Sequence, residues 1–131
     1  MIEVYYVSNT SSGRTTMQWL ESHDLLYIER RITKKTPIKT KEIKKMLALT
    51  ENGFENLINK RAKKFKELEK YFYDFSVYEL IEYLIESPTL LKLPIVMSEK
   101  KIVTGFNEAE IRCFLSKEYR RTKLLKIDNG L

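Results

Sequence analysis

Thiol and imidazole side chains are almost absent from this sequence, which holds one cysteine, Cys113, and one histidine, His23, among 131 residues. A single cysteine excludes an internal disulfide bond, so we expect a reducing compartment, the cytoplasm. A single histidine does not make a set of metal ligands, and neither a metal site nor a cofactor is predicted. No apolar run approaches the roughly 18 residues that a membrane span needs, and no membrane contact is expected.

Acidic side chains are scarce in one part of the chain. Residues 30–70 hold 14 of the 24 lysines and arginines against five glutamates, a local excess of nine positive charges, whereas the whole chain carries +6. A basic stripe of this kind attracts polyanions or an acidic protein face. A lysine-rich surface that only faces solvent is the alternative that charge alone leaves open.

The chain length and the 43% of hydrophobic residues fit one globular domain over residues 1–131. Residues 2–7 predict a strand, because they are rich in β-branched and aromatic side chains. A helix is predicted to begin near Ser11 or Ser12, with Thr10 or Ser11 as its cap. Residues 25–30 predict a second strand, parallel to the first because a crossover helix joins the two.

The middle of the chain predicts a series of helices. Thr40 is the expected cap of the first of them, and Gly53 lies beyond its end, where a left-handed residue is easiest. Ser76 and Glu79 form a capping box for a later amphipathic helix. The aromatic cluster at residues 71–78 is assigned to the core rather than to a surface that stacks on bases.

The last part of the chain predicts a β-hairpin over residues 93–106 and a helix that Asn107 caps. The order βαβ–helices–ββα indicates an α/β fold with a mixed sheet of about four strands. We assign the sheet core to residues of about 1–33 and 88–131, and an inserted helical region to residues of about 34–87.

Four stretches of the chain carry a resemblance to a known family: "YYVSNTSSGR" (5–14), "WLESHDLLYIERRI" (19–32), "IKKMLALTENGFENLINKRAKKF" (43–65) and "SPTLLKLPIVMSEKKIVTGFNEAEIRCFL" (87–115). In this order they resemble the Spx branch of the arsenate reductase/Spx family. The resemblance implies a thioredoxin-like fold with a cis peptide bond between Leu93 and Pro94. It also implies a protein that is monomeric when free and binds the C-terminal domain of the RNA polymerase α subunit.

The chain departs from this family where the family's chemistry lies. Spx-like proteins usually carry Cys-x-x-Cys in the turn after the first strand, and these positions are Thr10 and Gly13 here. Arsenate reductases carry one cysteine in this turn and an arginine before the third-strand proline, and that position is Leu93. No thiolate can form in the turn, so we predict no enzyme and a degenerate redox switch. Arg14 matches a basic residue that follows the switch, and a plain surface arginine is its alternative. Cys113 is predicted on the exposed side of the last helix.

A second set of matching residues lies in the helical region. Gly53 matches the family's glycine at the polymerase α contact, where a bare backbone lets a partner approach. Arg61 and Lys63 match basic residues near the same surface and would meet acidic groups of the partner or promoter phosphates. The alternatives are an ordinary helix C-cap at Gly53 and solvated charge at Arg61 and Lys63.

Three functions follow from these residues. The resemblance favours a redox-insensitive transcription regulator that binds polymerase α. A competitor that occupies Spx partners without activating transcription would use the same face. An arsenate reductase or thiol oxidoreductase would need a nucleophile in the turn, and Thr10 and Gly13 argue against it.

Overall fold

The structure, a computed structural model, describes residues 1–116, so the end of the predicted sheet core, residues 117–131, lies outside the described residues. One mixed sheet has the strand order β2-β1-β3-β4. The strands are β1 (Ile2–Tyr6), β2 (Tyr27–Arg31), β3 (Ile95–Met97) and β4 (Ile102–Thr104). β1 runs parallel to β2 and antiparallel to β3, and β3 runs antiparallel to β4. The predicted α/β fold with a mixed four-stranded sheet is confirmed.

The helices follow the predicted order along residues 1–116. They are α1 (Ser11–Ser22), α2 (Thr40–Leu49), α3 (Phe54–Leu57), α4 (Lys63–Leu68), α5 (Val77–Glu86) and α6 (Glu108–Ile111). Three 3₁₀ turns accompany them at Glu69–Asp74, Pro88–Leu90 and Arg112–Phe114. No helix in this part of the chain is long and apolar enough to span a bilayer.

Two clusters of buried side chains cover the two faces of the sheet, because successive residues of a strand point to opposite faces. On one face, Val4 and Val96 pack with α1 and α6 through Trp19, Leu20, Ile111 and Leu115. On the other face, Tyr5, Ile95 and Met97 pack with residues of α2 to α5, among them Ile43, Met46, Leu57, Phe65, Ile81 and Leu84. The inserted helical region therefore shares a core with the sheet.

Side-chain caps set the ends of the first two helices. Thr10 caps α1, and its Oγ1 accepts a hydrogen bond from the Gly13 N–H at 3.1 Å. The prediction that Thr40 caps α2 is wrong, because Thr40 is already the first helical residue and Lys39 holds the extended cap position. The Glu42 carboxylate accepts the Lys39 N–H at 2.9 Å, so the carboxylate closes this end of the helix without a hydroxyl cap.

Three other local predictions have different outcomes. The capping box of Ser76 and Glu79 is confirmed, and Asn107 caps α6 as expected. The second strand begins at Tyr27 rather than at residue 25, because the turn that ends α1 continues to Leu25, whose N–H donates to a carbonyl of α1.

The aromatic cluster at residues 71–78 was expected in the core, and that expectation is only partly correct. Tyr71, Tyr73 and Tyr78 are 56%, 85% and 66% exposed, whereas Phe72 and Phe75 are half-buried. The phenyl rings are fully apolar and turn inward, while the tyrosine rings carry a hydroxyl that water can solvate.

Candidate functional site

The turn between β1 and α1 is a strand–helix junction in which the Gly13 N–H, in the first turn of the helix, is already hydrogen-bonded. Thr10 and Gly13 meet directly through their 3.1 Å hydrogen bond. Gly13 is buried, and a Cβ atom built there would lie 3.4 Å from Thr10 Oγ1, an ordinary contact. Arg14 is exposed and donates from Nη1 to the Asn9 carbonyl at 3.2 Å. The arginine thus braces the turn itself.

A groove of about 220 Å³ opens beside this turn. It brings Thr10 together with Leu93 and Pro94, and the bond between these last two residues is cis, as predicted. The described residues of its lining are Tyr6, Val7, Ser8, Thr10, Asn59, Thr89, Leu91, Leu93 and Pro94. This lining carries hydroxyl, amide and aliphatic groups, so it offers neither a thiolate nor a guanidinium to an oxyanion.

The single histidine takes part in the end of α1. His23 is the C-cap, its Nδ1 lies 2.8 Å from the Trp19 carbonyl oxygen, and the two rings stack at 4.0 Å. In residues 1–116, no group of three His, Cys, Asp or Glu side chains is placed to hold a metal ion.

Gly53 lies at the start of α3 in a conformation that favours glycine. Its φ is 63° and its ψ is −130°, and no heavy atom lies within 4 Å of a Cβ atom built on it. The alternative that Gly53 is a helix C-cap is wrong, because Thr50 is the C-cap of α2 and Gly53 is the N-cap of α3. Asn56 closes the loop, since its N–H donates to the Gly53 carbonyl and its Oδ1 accepts the Asn52 N–H.

Arg61 and Lys63 lie at the start of the next helix, α4. Both are exposed, and neither forms an ion pair within the described residues. The Arg61 N–H donates to Asn59 Oδ1 at 3.1 Å, which fixes the backbone of this turn. Phe65, one turn into α4, is buried and anchors the helix on the core.

A hydrogen-bonded network ties the segment of Gly53 to the segment of Arg61. Glu55 Oε2 lies 2.7 Å from Lys60 Nζ, and the Tyr73 hydroxyl donates to Glu55 Oε1 at 2.9 Å. The hydrogen bond from Lys60, and then that from Tyr73, lower the pKa of Glu55. Tyr73 lies 18 residues after Glu55 in the sequence, so no spacing rule could have predicted that it completes the network.

The same three side chains border a cavity of about 180 Å³. Its apolar wall is formed by Ile58, Phe65 and Phe72, and Phe65 and Phe72 meet edge to face at 5.7 Å. Exposed charge next to a small apolar recess is a common composition for a protein-binding surface.

One partly buried ion pair clamps the connection between the sheet and the helical region. Arg30 donates from Nε and Nη2 to the two Glu42 oxygens at 3.0 and 2.9 Å. It also donates to the carbonyls of Arg31, Thr36 and Pro37. Burial alone would raise the pKa of Glu42, but the hydrogen bonds from Arg30 and from the Lys39 N–H hold it below its ordinary value.

The sheet, the cis-proline beside the strand–helix turn and the flanking helices together define a thioredoxin-like protein. Residues 5–114 match the model of the ArsC family, and the chain belongs to that family. The "Global transcriptional regulator Spx 1" of Lactococcus lactis is 38% identical over 125 residues, which cover 95% of this chain and 97% of the relative. The "Global transcriptional regulator Spx" of Streptococcus mutans is 38% identical over 124 residues, 95% of this chain and 90% of the relative.

Solved structures agree with this fold. A protein from Staphylococcus aureus is 26% identical with a TM-score of 0.76, and the match covers 88% of this chain and all of that chain (100%). An arsenate reductase (ArsC) related protein from Brucella melitensis is 20% identical with a TM-score of 0.64, over 88% of this chain and 94% of the other. The thioredoxin-like fold and the resemblance to the Spx branch are thus confirmed.

Proposed function

We propose that this chain is a transcription regulator of the Spx type, which binds the C-terminal domain of the RNA polymerase α subunit and does so without a redox switch. The names of the relatives at 36–38% identity support a regulator. The observation that carries the contact is the conformation of Gly53, which leaves open space where any other residue would place a side chain.

The binding face consists of Gly53, Arg61 and Lys63. A backbone without a side chain lets a partner helix or loop approach closely at Gly53. Arg61 and Lys63 are exposed and make no ion pair within residues 1–116, so both charges are available to carboxylates of the partner or to promoter phosphates.

The groove beside Thr10 does not support an enzyme. A reductase of this family needs a thiolate as nucleophile, and the turn holds hydroxyls and a glycine instead. Cys113 lies in the 3₁₀ turn after α6. It lines two other cavities and not this groove. The turn therefore serves as scaffold, with Thr10 as a helix cap and Arg14 as a brace.

A pull-down with the isolated C-terminal domain of polymerase α tests the proposal. The wild-type chain should retain the domain, and the variant Arg61→Glu/Lys63→Glu should retain much less of it. The variant Lys100→Glu, on the hairpin turn, is a control for added negative charge and should behave as the wild type. Equal retention by all three proteins, or none by the wild type, would contradict the proposed contact.

In vitro transcription then distinguishes a regulator that changes promoter output from a competitor. With purified polymerase, the proposed regulator should raise transcription from a subset of promoters. Protein that binds the α domain and only blocks the effect of another Spx-type protein would be a competitor, and the regulatory part of the proposal would be wrong.

A further inference from the structure

The charged side chains on the outward face of α2 are all positive. Ile43 and Met46 are buried against the core, and Lys41, Lys44 and Lys45 are exposed on the opposite side. At 100° per residue, these three lysines fall within an arc of about 100° around the helix. Their charges therefore lie on one side of the helix.

No carboxylate of α2 neutralises this face. Glu42 is the single acidic residue of the helix, and it is drawn inward by Arg30 at 2.9 Å and by the Lys39 N–H. The loop before the helix adds three exposed lysines, Lys34, Lys35 and Lys39. None of these six lysines forms an ion pair within the part of the chain that the structure describes.

An exposed tyrosine from α5 borders the same face. Lys44 Nζ lies 5.3 Å from the centre of the Tyr78 ring, and Tyr78 is 66% exposed. Glu79, its neighbour, is engaged in the capping box with Ser76. Glu82 is exposed one helical turn after Tyr78, and it limits the basic surface on that side.

We infer that this surface, which we call the lysine face (Lys34, Lys35, Lys39, Lys41, Lys44, Lys45 and Tyr78), binds the phosphate backbone of duplex DNA. The inference rests on the proposed function, since it names the DNA contact of a regulator held at a promoter. Duplex DNA fits best because it presents about one negative charge per 1.7 Å, and because a tyrosine hydroxyl donates to phosphate oxygens. The lysine face is distinct from Gly53, Arg61 and Lys63, which belong to the segments after α2.

Fluorescence anisotropy of a labelled DNA duplex, titrated with the full chain at several salt concentrations, tests this inference. The test variant is Lys44→Gln/Lys45→Gln. The control is Lys92→Gln/Lys100→Gln, which removes the same charge from exposed positions elsewhere. Each lost phosphate contact lowers the slope of log K against log salt by about one, so the test variant should lose about two and bind about tenfold more weakly at low salt. The control should keep the wild-type slope.

Equal slopes of log K against log salt for the test and control variants would overturn the inference, since binding would then depend only on the net charge of the protein. Displacement of the duplex by a poly-glutamate peptide at an equal concentration of charge would also overturn it, in favour of an acidic protein partner. Tyr78→Ala should weaken DNA binding several-fold, and Tyr78→Phe should weaken it less. If neither change has an effect, Tyr78 is not part of the lysine face that binds DNA.

Binding of the polymerase α domain is measured on the same proteins to separate this inference from the proposed function. Lys44→Gln/Lys45→Gln should bind that domain as the wild type does. Absence of α binding by the wild type would contradict the proposed function, and an unchanged DNA slope with intact α binding would contradict the lysine face alone.

Discussion

The first turn of α1 and the loop before α3 each contain a glycine, but the two glycines have opposite surroundings. Gly13 is buried inside a helix, and a Cβ atom there would make an ordinary 3.4 Å contact with Thr10. Gly53 has a φ of 63° and open space around the position of a Cβ atom. A side chain is therefore compatible with the backbone at Gly13, whereas at Gly53 the backbone itself demands glycine.

The two regions also differ in whether their polar groups are bonded within the region. In the turn, the Gly13 N–H donates to Thr10 and the Arg14 guanidinium donates to the Asn9 carbonyl, so two groups that could hold an anion already bind acceptors of the turn itself. In the segment after Gly53, at the start of α4, the basic residues Arg61 and Lys63 have no ion-pair partner in residues 1–116. The first region is satisfied internally and the second is open to a partner.

The largest expected effect comes from the clamp that holds the helical region on the sheet. Glu42→Gln leaves Arg30 partly buried without its carboxylate, since the two side chains are 14% and 20% exposed. We expect the free energy of unfolding to fall by roughly 2–3 kcal/mol, measured by urea denaturation. Glu55→Gln removes the carboxylate of the exposed pair with Lys60 and is the matched control. A similar loss from both variants would show that burial does not distinguish the two pairs.

The clamp also predicts how stability depends on pH. The pKa of Glu42 is lowered in the folded state, so the unfolded chain binds the proton more readily. Its contribution is thus fully present above the ordinary value of 4.5 and is lost as pH falls through the lowered pKa of the folded state. Urea denaturation across the acid range should show a shallower decline for Glu42→Gln than for the wild type. Parallel curves would contradict this assignment.

Gly53→Arg should have the second largest effect, and this effect is on the affinity for polymerase α. A long side chain placed at this proposed contact should weaken polymerase α binding by about 2 kcal/mol or more, as loss of an interface hot spot does. Gly53→Ala is the control for backbone strain, which costs roughly 1–3 kcal/mol of folding stability in this sparsely populated conformation. Calorimetry should find much weaker binding for the arginine variant than for the alanine variant. Equal binding would mean that the partner does not approach Gly53.

A smaller effect on affinity is expected at Arg61, because charges at the edge of an interface act mainly through long-range electrostatics. Arg61→Glu should weaken the complex by about 1 kcal/mol at low salt and by less at high salt. Arg14→Glu is the matched control in the turn, and it should not change the affinity for polymerase α. An effect of Arg14→Glu as large as that of Arg61→Glu would erase the contrast between the two regions.

The smallest effect is predicted for the single thiol. Cys113 was expected to be exposed, but it is half-buried and lines a cavity of about 360 Å³ beside β4. Lys101 Nζ donates to its backbone carbonyl at 2.6 Å, which a change of side chain leaves intact. Cys113→Ser should leave the affinity for polymerase α unchanged and alter stability by less than about 1 kcal/mol. A clear change in affinity would give the thiol a role in binding.

The fold was predictable because its signals are local and repeated. The capping residues Thr10 and Ser76, the β-branched and aromatic content of β1 and the hairpin after Pro94 each follow from short-range chemistry. The end of α1 was less predictable. The turn through Leu25 depends on a backbone hydrogen bond, which the residue types in the turn do not predict.

The candidate site was predictable only in part. The resemblance located Gly53, and the positive φ there agrees with the need for glycine. The network of Glu55, Lys60 and Tyr73 and the inward turn of Glu42 depend on tertiary contacts between distant residues, so sequence spacing did not reveal them. Hydrophobic content likewise assigns Tyr71, Tyr73 and Tyr78 to the core, since it does not say which ring faces solvent.

The most direct test of the account is a calorimetric titration of the polymerase α C-terminal domain with the wild-type chain, once in reducing buffer and once after treatment with diamide. Thr10 and Gly13 hold no thiol, so the account predicts binding with the same Kd in both conditions. Absence of binding heat, or a several-fold change in Kd after oxidation, would contradict a regulator that binds without a redox switch.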